Sequence, residues 1–113
     1  MAIWKPTPVS EEPVTELFQW NVFEIPALKA EGKERHVVGS TEYDPGRVSS
    51  KIIEFDATTN TITTRSGRRY KLVGPSGMNR DAEYVMSRWL YMNRVDDTKV
   101  TMVTSQYEVK ENL

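Results

Sequence analysis

The clearest alternation of apolar and polar positions lies in residues 49–73, SSKIIEFDATTNTITTRSGRRYKLV. Runs rich in Thr, Ile, Tyr and Val are separated there by turn signals at residues 56–59 and at Ser66-Gly67. The pattern predicts three short antiparallel strands, which form a central meander around which the rest of the chain is organised.

The loop at Ser66-Gly67 sets the register of the second hairpin in this meander. A two-residue turn would mix the two faces of the strand pair. A three-residue loop over residues 65–67, with a left-handed Gly67, instead places Ile62 opposite Tyr70. We expect this loop, because it leaves one face apolar and the other polar.

The first hairpin is expected to have a four-residue loop over residues 56–59, which pairs Ile53 with Ile62. The apolar face of the meander would then hold Ile53, Phe55, Ile62, Tyr70 and Leu72. The polar face would hold Ile52, Glu54, Thr61, Thr63, Arg69 and Lys71.

Three further segments are predicted to be strands. Residues 14–25 favour a strand, with a short helix as the alternative, in which Phe18, Trp20 and Val22 face one side and Leu17 and Phe23 the other. Residues 35–43 and 98–109 also alternate, and the last of these is expected to rejoin the sheet.

Residues 80–94 form the one convincing helix, because their apolar side chains recur at helical spacing and Asn79 is a suitable N-cap. The expected fold class is α+β: an antiparallel sheet of about five to six strands, with the central meander (about 49–73) and one helix (about 80–94) packed on one face. Residues 1–13, which hold three prolines, are expected to be an extended N-terminal arm, and residues 14–113 a single α+β domain.

Composition narrows the class of protein. The chain has 113 residues, of which 38% are hydrophobic and 27% charged, as is usual for a globular protein. There is no cysteine, no apolar run long enough to span a membrane and no apolar core of a signal peptide. These features predict a cytoplasmic protein that does not bind membranes.

Few residues are suited to catalysis. His36 is the only histidine, and no nucleophile motif surrounds it. The segment Gly74–Gly77 precedes the helix but lacks the Gly-Lys-Ser/Thr ending of a phosphate loop. We therefore expect no enzyme activity, no cofactor and no bound metal.

The charge distribution is uneven although the net charge is −1. Residues 45–80 carry seven basic and two acidic side chains, an excess of five positive charges. Arginine forks bind phosphates and carboxylates through paired hydrogen bonds. The hairpin residues Arg65, Arg68, Arg69 and Lys71, with Arg47 nearby, could therefore bind nucleic acid or an acidic protein, or could form an ordinary solvated face.

Aromatic side chains outside the buried positions supply a second set of candidates. Tyr84 and Tyr91 lie off the apolar stripe of the helix, and Trp4 and Trp20 complete the set. The expected partner-binding residues are Arg65, Arg68, Arg69, Lys71, Arg47, Trp4, Tyr84 and Tyr91.

The segments RVSSKI (residues 47–52) and TTRSGRRYKL (residues 63–72) resemble a Thr-x-Ser-Gly-x-x-Tyr-x-Leu hairpin pattern. This pattern recurs in small uncharacterised proteins of bacteria, phages and other mobile elements. The resemblance implies a short accessory protein that acts by binding, including inhibitors of host machinery, and it implies no catalytic residues.

These features predict a small non-enzymatic protein-binding module, an inhibitor or adaptor that acts by occupying a partner's surface. A homodimer is left open. The alternative is a nucleic-acid-binding protein that uses the basic hairpin Arg65–Lys71, and it would lose affinity steeply with salt.

Overall fold

The structure is a computed structural model, and the residues that it describes are 14–108. The arm expected over residues 1–13, including Trp4, and residues 109–113 lie outside the described residues.

The described chain is an α+β fold, as the sequence predicts. Its strands are β1 (Val14–Pro26), β2 (Lys33–Ser40), β3 (Arg47–Val48), β4 (Ile52–Asp56), β5 (Thr61–Thr64), β6 (Arg69–Val73) and β7 (Thr101–Met102). Its helix α1 spans Arg80–Met92, and two 3-10 helices span Asp97–Lys99 and Thr104–Tyr107. The helix therefore ends two residues earlier than predicted.

The centre of the sheet is β1, and the prediction of a central meander is wrong. The strand order is β3-β2-β1-β6-β5-β4, with β7 also paired to β1. The first residues of β1 pair with β6, and its later residues pair antiparallel with β2. The β1–β6 pairing is parallel, so the sheet is mostly but not wholly antiparallel. β2 lies along one edge of this long strand, whereas β6 and β7 share the other edge, because β6 pairs with residues 14–18 and β7 with Phe23 and Glu24.

The sheet curls, because its two end strands are close in the chain. Only residues 49–51 join β3 to β4. In a flat sheet these strands would be roughly 24 Å apart, whereas the connection spans at most about 14 Å. Ser49 N donates to Val37 O of β2, and Lys51 O accepts from Arg65 N. The curl gives the sheet an inner and an outer face.

Each face has its own buried cluster. The inner face is filled by Leu17, Trp20, Val22, Val37, Ile62, Tyr70, Leu72, Val103 and Tyr107. The second cluster joins β1 and β2 to the helix and consists of Phe23, Ile25, Val38, Ala82, Met86 and Leu90. The helix therefore contributes to the cluster that contains β1 and β2, while the apolar side of the meander belongs to the other cluster.

The second hairpin has the predicted register. Ile62 pairs with Tyr70, and Gly67 has a φ of 89°. A Cβ atom disfavours this left-handed conformation, so glycine is the residue suited to the turn.

The predicted register of the first hairpin is wrong by two residues. Phe55, and not Ile53, pairs with Ile62, and a bulge lies between Ile52 and Glu54. The bulge packs Ile52 against the inner core and leaves Ile53 61% exposed, the reverse of the expectation. An extra residue in one strand changes which side chains face inward.

A second bulge corrects the prediction for β1. The register shifts between Phe18 and Asn21, where Gln19 has a φ of 46°. Trp20 consequently lies in the inner cluster with Leu17, and Phe18 is 38% exposed. The expected side shared by Phe18 and Trp20 does not form.

The C-terminal segment is not the long strand that the sequence predicts. Among its described residues, only Thr101 and Met102 pair with β1. Val103 N then donates to Val22 O, and Val22 N donates to the hydroxyl of Thr104. This side-chain bond satisfies the backbone where the ladder stops.

Candidate functional site

The outward side of α1 presents two tyrosines and two arginines. Arg80, Tyr84, Arg88 and Tyr91 recur every three or four residues, so they share one face of the helix. We call this set the helix stripe. All four side chains are exposed, and Tyr84 and Tyr91 are 66% and 78% exposed.

The helix that carries the stripe is held firmly in place. Its opposite side buries Ala82, Met86 and Leu90. The side-chain oxygen of Asn79 caps the helix by accepting from Ala82 N at 2.7 Å. Gly46 allows the preceding loop to approach closely, since an added Cβ would lie 2.9 Å from the Asp81 carbonyl oxygen. The stripe is therefore a preorganised surface.

The charges of the stripe are positive and unpaired within the described chain. The ion pairs found in residues 14–108 involve Lys33, Arg35, His36 and Arg47. Neither Arg80 nor Arg88 takes part in them. Their guanidinium groups can thus donate to an incoming acceptor without first breaking an ion pair.

The C-terminal end of the stripe borders an open depression. A concave surface of about 580 Å³ is lined by Tyr91, Met92, Arg94, Val95 and Asp96. Met92 is 70% exposed. Hydrogen bonds from the Thr98 backbone and hydroxyl lower the pKa of Asp96, so the acidic wall is ionised at neutral pH. The depression offers a recess for a partner's side chain.

The predicted hairpin residues divide between the two faces of the sheet. Arg65, Arg69 and Lys71 are exposed as expected. Arg68 is only 7% exposed, and its Nη1 donates to the Thr15 hydroxyl at 3.4 Å. Its inclusion in an exposed site is wrong. The sequence contained a sign that Arg68 is buried, because residues two positions apart in an extended segment point to the same face, and Tyr70 points into the core.

The polar face of the meander is not a basic surface. Glu54 pairs with Thr63, which in turn pairs with Arg69. Asp56, Thr61 and Lys71 form a parallel row. Glu16 of β1 adjoins Lys71. These carboxylates offset the cations, so this face lacks the net positive charge that attracts a phosphate backbone.

Two other predicted residues lie apart from this surface. Arg47 is half-buried in β3 and is ion-paired with Asp44. Trp20 is 2% exposed, and its indole donates to Gly74 O. The expectation of an exposed Trp20 is therefore wrong, because the bulge in β1 turns it inward.

His36 lies in a closed buried pair. Its Nδ1 is 2.8 Å from Ser49 O, and its Nε2 is 2.5 Å from Glu34 Oε2. The ring stacks on Phe23 and contacts Trp89, with centroids 5.6 and 4.5 Å away. Both imidazole nitrogens are thus engaged, and the side chain is 3% exposed.

The ionisation of Glu34 follows from its contacts. Burial raises the pKa of this carboxyl, but the Leu28 amide, His36 and the charge of Lys51 together outweigh that effect, so the net result is a lowered pKa. The geometry places a charged acceptor against the imidazole and explains how a polar pair is tolerated in the interior.

Residues 14–108 are the part of the chain that the structure describes. This part of the chain contains no group of three or more His, Asp or Glu side chains that could hold a metal ion. It also has no helix with the length and apolar character required to cross a membrane.

No protein-family model, curated protein or solved structure matches the chain.

Proposed function

We propose that the protein is a small non-enzymatic binding module whose contact surface is the helix stripe. The observation that carries the proposal is that Tyr84 and Tyr91 are exposed on one side of a helix whose other side is buried. Arg80 and Arg88 lie beside them on the exposed side.

The residue types support a protein partner. Tyrosine and arginine are enriched among the few residues that dominate binding energy at interfaces. A tyrosine gives a large, rigid and amphipathic contact area at low cost in side-chain entropy. The depression next to Tyr91 would hold one side chain of the partner, because the residues that dominate binding energy pack into pockets at interfaces.

The module would act by occupying its partner's surface. Such a role agrees with the resemblance to short accessory proteins of phages and mobile elements, which implies inhibition or adaptation of host machinery. Binding of this kind requires no catalytic residue.

The experiment compares variants of the exposed tyrosines. Tagged wild-type protein, Tyr84→Ala/Tyr91→Ala and Tyr43→Ala are used to capture partners from host lysate treated with nuclease. Tyr43 is the matched control, because it is 78% exposed like Tyr91 but lies in the connection between β2 and β3 and not on the helix. A protein captured by the wild type and the control, but not by the helix variant, supports the proposal. Equal capture by all three overturns it.

A further inference from the structure

On the outer face of the meander, each strand carries one kind of polar side chain. Glu54 and Asp56 lie on β4, Thr61 and Thr63 on β5, and Arg69 and Lys71 on β6. We call these six residues the meander face. Strand pairing aligns them in two rows, each reading acid, threonine, cation from one edge to the other.

The meander face is open in the described structure. Its acidic and basic side chains are exposed, and its threonines are half-buried. The buried helix side chains belong to the cluster that contains β1 and β2, not the meander. A depression of about 380 Å³ follows β5 between the charged columns, and residues lining it are Val14, Glu54, Asp56, Thr59, Thr61, Thr63 and Arg69. Short threonines between longer side chains explain this shape.

From this arrangement we infer that the meander face binds a second copy of the same chain. A two-fold axis along β5, midway between two facing sheets, exchanges the positions of β4 and β6. Glu54 then lies over Arg69 of the second copy, and Asp56 lies over Lys71 of that copy. Symmetry repeats both pairs, so one pattern gives four opposite-charge contacts. An axis across the strands would instead place acid over acid.

The same axis brings together apolar residues that flank the meander face. Ile53, at the edge of β4, is 61% exposed, and Val14, which pairs with Arg69 in the neighbouring strand, is 40% exposed. The rotation places the start of β1 of one copy beside the outer edge of β4 in the other. An apolar contact would therefore border the ion pairs on each side of the dimer.

The dimer is expected to be weak and transient. The three strands, of five, four and five residues, cover a flat area of only about 220 Å², well below the roughly 800 Å² that each partner contributes to a standard interface. Exposed ion pairs also contribute little individually. Charge complementarity thus selects the orientation of the dimer more than it determines its strength.

Charge exchange tests the inference. One variant carries Glu54→Lys/Asp56→Lys, and the other carries Arg69→Glu/Lys71→Glu. Sedimentation velocity is measured for the wild type, for each variant and for their equimolar mixture, over a concentration series into the millimolar range. Each variant places like charges opposite each other in its own dimer, whereas the mixture restores four opposite pairs. We expect concentration-dependent dimers for the wild type, none for either variant alone, and dimers tighter than wild type for the mixture.

A matched control separates this geometry from general attraction between oppositely charged proteins. Glu31→Lys/Glu42→Lys makes the same change in net charge at exposed positions off the meander face. Its own meander face is unchanged, so it should dimerise only as weakly as the wild type, and mixing it with the Arg69→Glu/Lys71→Glu variant should give no tighter association. The inference is overturned if this control associates as well as the matched mixture, or if the wild type stays monomeric at every concentration.

Circular dichroism of each variant checks that it is folded, and the mixture tests the meander face even if one variant is less stable. The helix stripe is untouched, so this result and the tyrosine result can fail separately.

Discussion

Nε2 of His36 lies 2.5 Å from Oε2 of Glu34, and Trp89 of α1 covers the imidazole. The pair links four parts of the fold, because Glu34 also accepts from the Leu28 amide and His36 contacts the Ser49 carbonyl. It therefore connects β2 with a loop, with the β3–β4 connection and with the helix that presents the stripe.

Removing one member of this pair should destabilise the protein strongly. Glu34→Ala or His36→Ala leaves the remaining buried polar group without its partner, and we expect a loss of about 3 kcal/mol in the free energy of unfolding. Urea denaturation measures the change. Lys33→Ala is the control, since the Lys33 side chain is 71% exposed and its 3.7 Å ion pair with Glu24 should contribute less than about 1 kcal/mol. Equal effects of His36→Ala and the control would contradict the structural role of the pair.

The lowered pKa of Glu34 predicts a specific dependence of stability on pH. A carboxyl with a pKa below its ordinary value of 4.5 adds stability that is fully present above that value. This contribution is lost as the pH falls through the lower pKa of the folded state. The free energy of unfolding should therefore decrease with acid below about pH 4.5 less steeply in Glu34→Gln than in the wild type. Identical slopes in the two proteins, measured by urea denaturation at a series of pH values, would show that Glu34 is not the linked group.

Alanine substitutions at two glycines test the close packing of β1 against β2, with Gly39 in β2 and Gly77 as a control outside both strands. A Cβ at Gly39 would lie 2.8 Å from Leu17 Cγ and 2.9 Å from Phe18 O, whereas one at Gly77 would come no closer than 4.0 Å to its nearest neighbour, Gln19 Cβ. Gly39→Ala should cost about 1–3 kcal/mol because the backbone oxygen cannot move away easily. Gly77→Ala should change stability little. Thermal unfolding of both variants provides the comparison, and equal melting temperatures would contradict the close approach of β2 to β1 at Gly39.

The local parts of the fold could be predicted from the sequence. The Gly67 turn and the alternation on either side of it determine the register of Ile62 with Tyr70 without any distant residue. The helix likewise follows from its own spacing and from the Asn79 cap. Each of these features depends on interactions within about 15 residues.

The non-local parts could not be predicted in the same way. The parallel pairing of β1 with β6 joins residues more than 50 positions apart, and no local pattern encodes it. The bulges after Ile52 and Phe18 each shift which side chains face inward, because the period of a strand is two. A one-residue shift thus reversed the expected positions of Ile52 and Ile53.

The same distinction applies to the candidate site. Tyr84 and Tyr91 are exposed because their helical spacing puts them opposite the buried stripe, and the sequence contained that information. Trp20 was misplaced because its orientation depends on a bulge. The basic excess of residues 45–80 did not form a basic surface, since Glu54 and Asp56 of β4 lie beside the cations in the folded sheet.

The most direct test of the proposed function is the capture of a partner by proteins that differ only in exposed tyrosines. Wild-type protein and Tyr43→Ala should retain a near-stoichiometric protein partner after nuclease treatment. Tyr84→Ala/Tyr91→Ala should reduce its affinity at least about tenfold, because loss of interface hot spots costs more than about 1–2 kcal/mol. Unchanged affinity in that variant would contradict binding through the helix stripe, and loss of all captured material on nuclease treatment would contradict a protein partner.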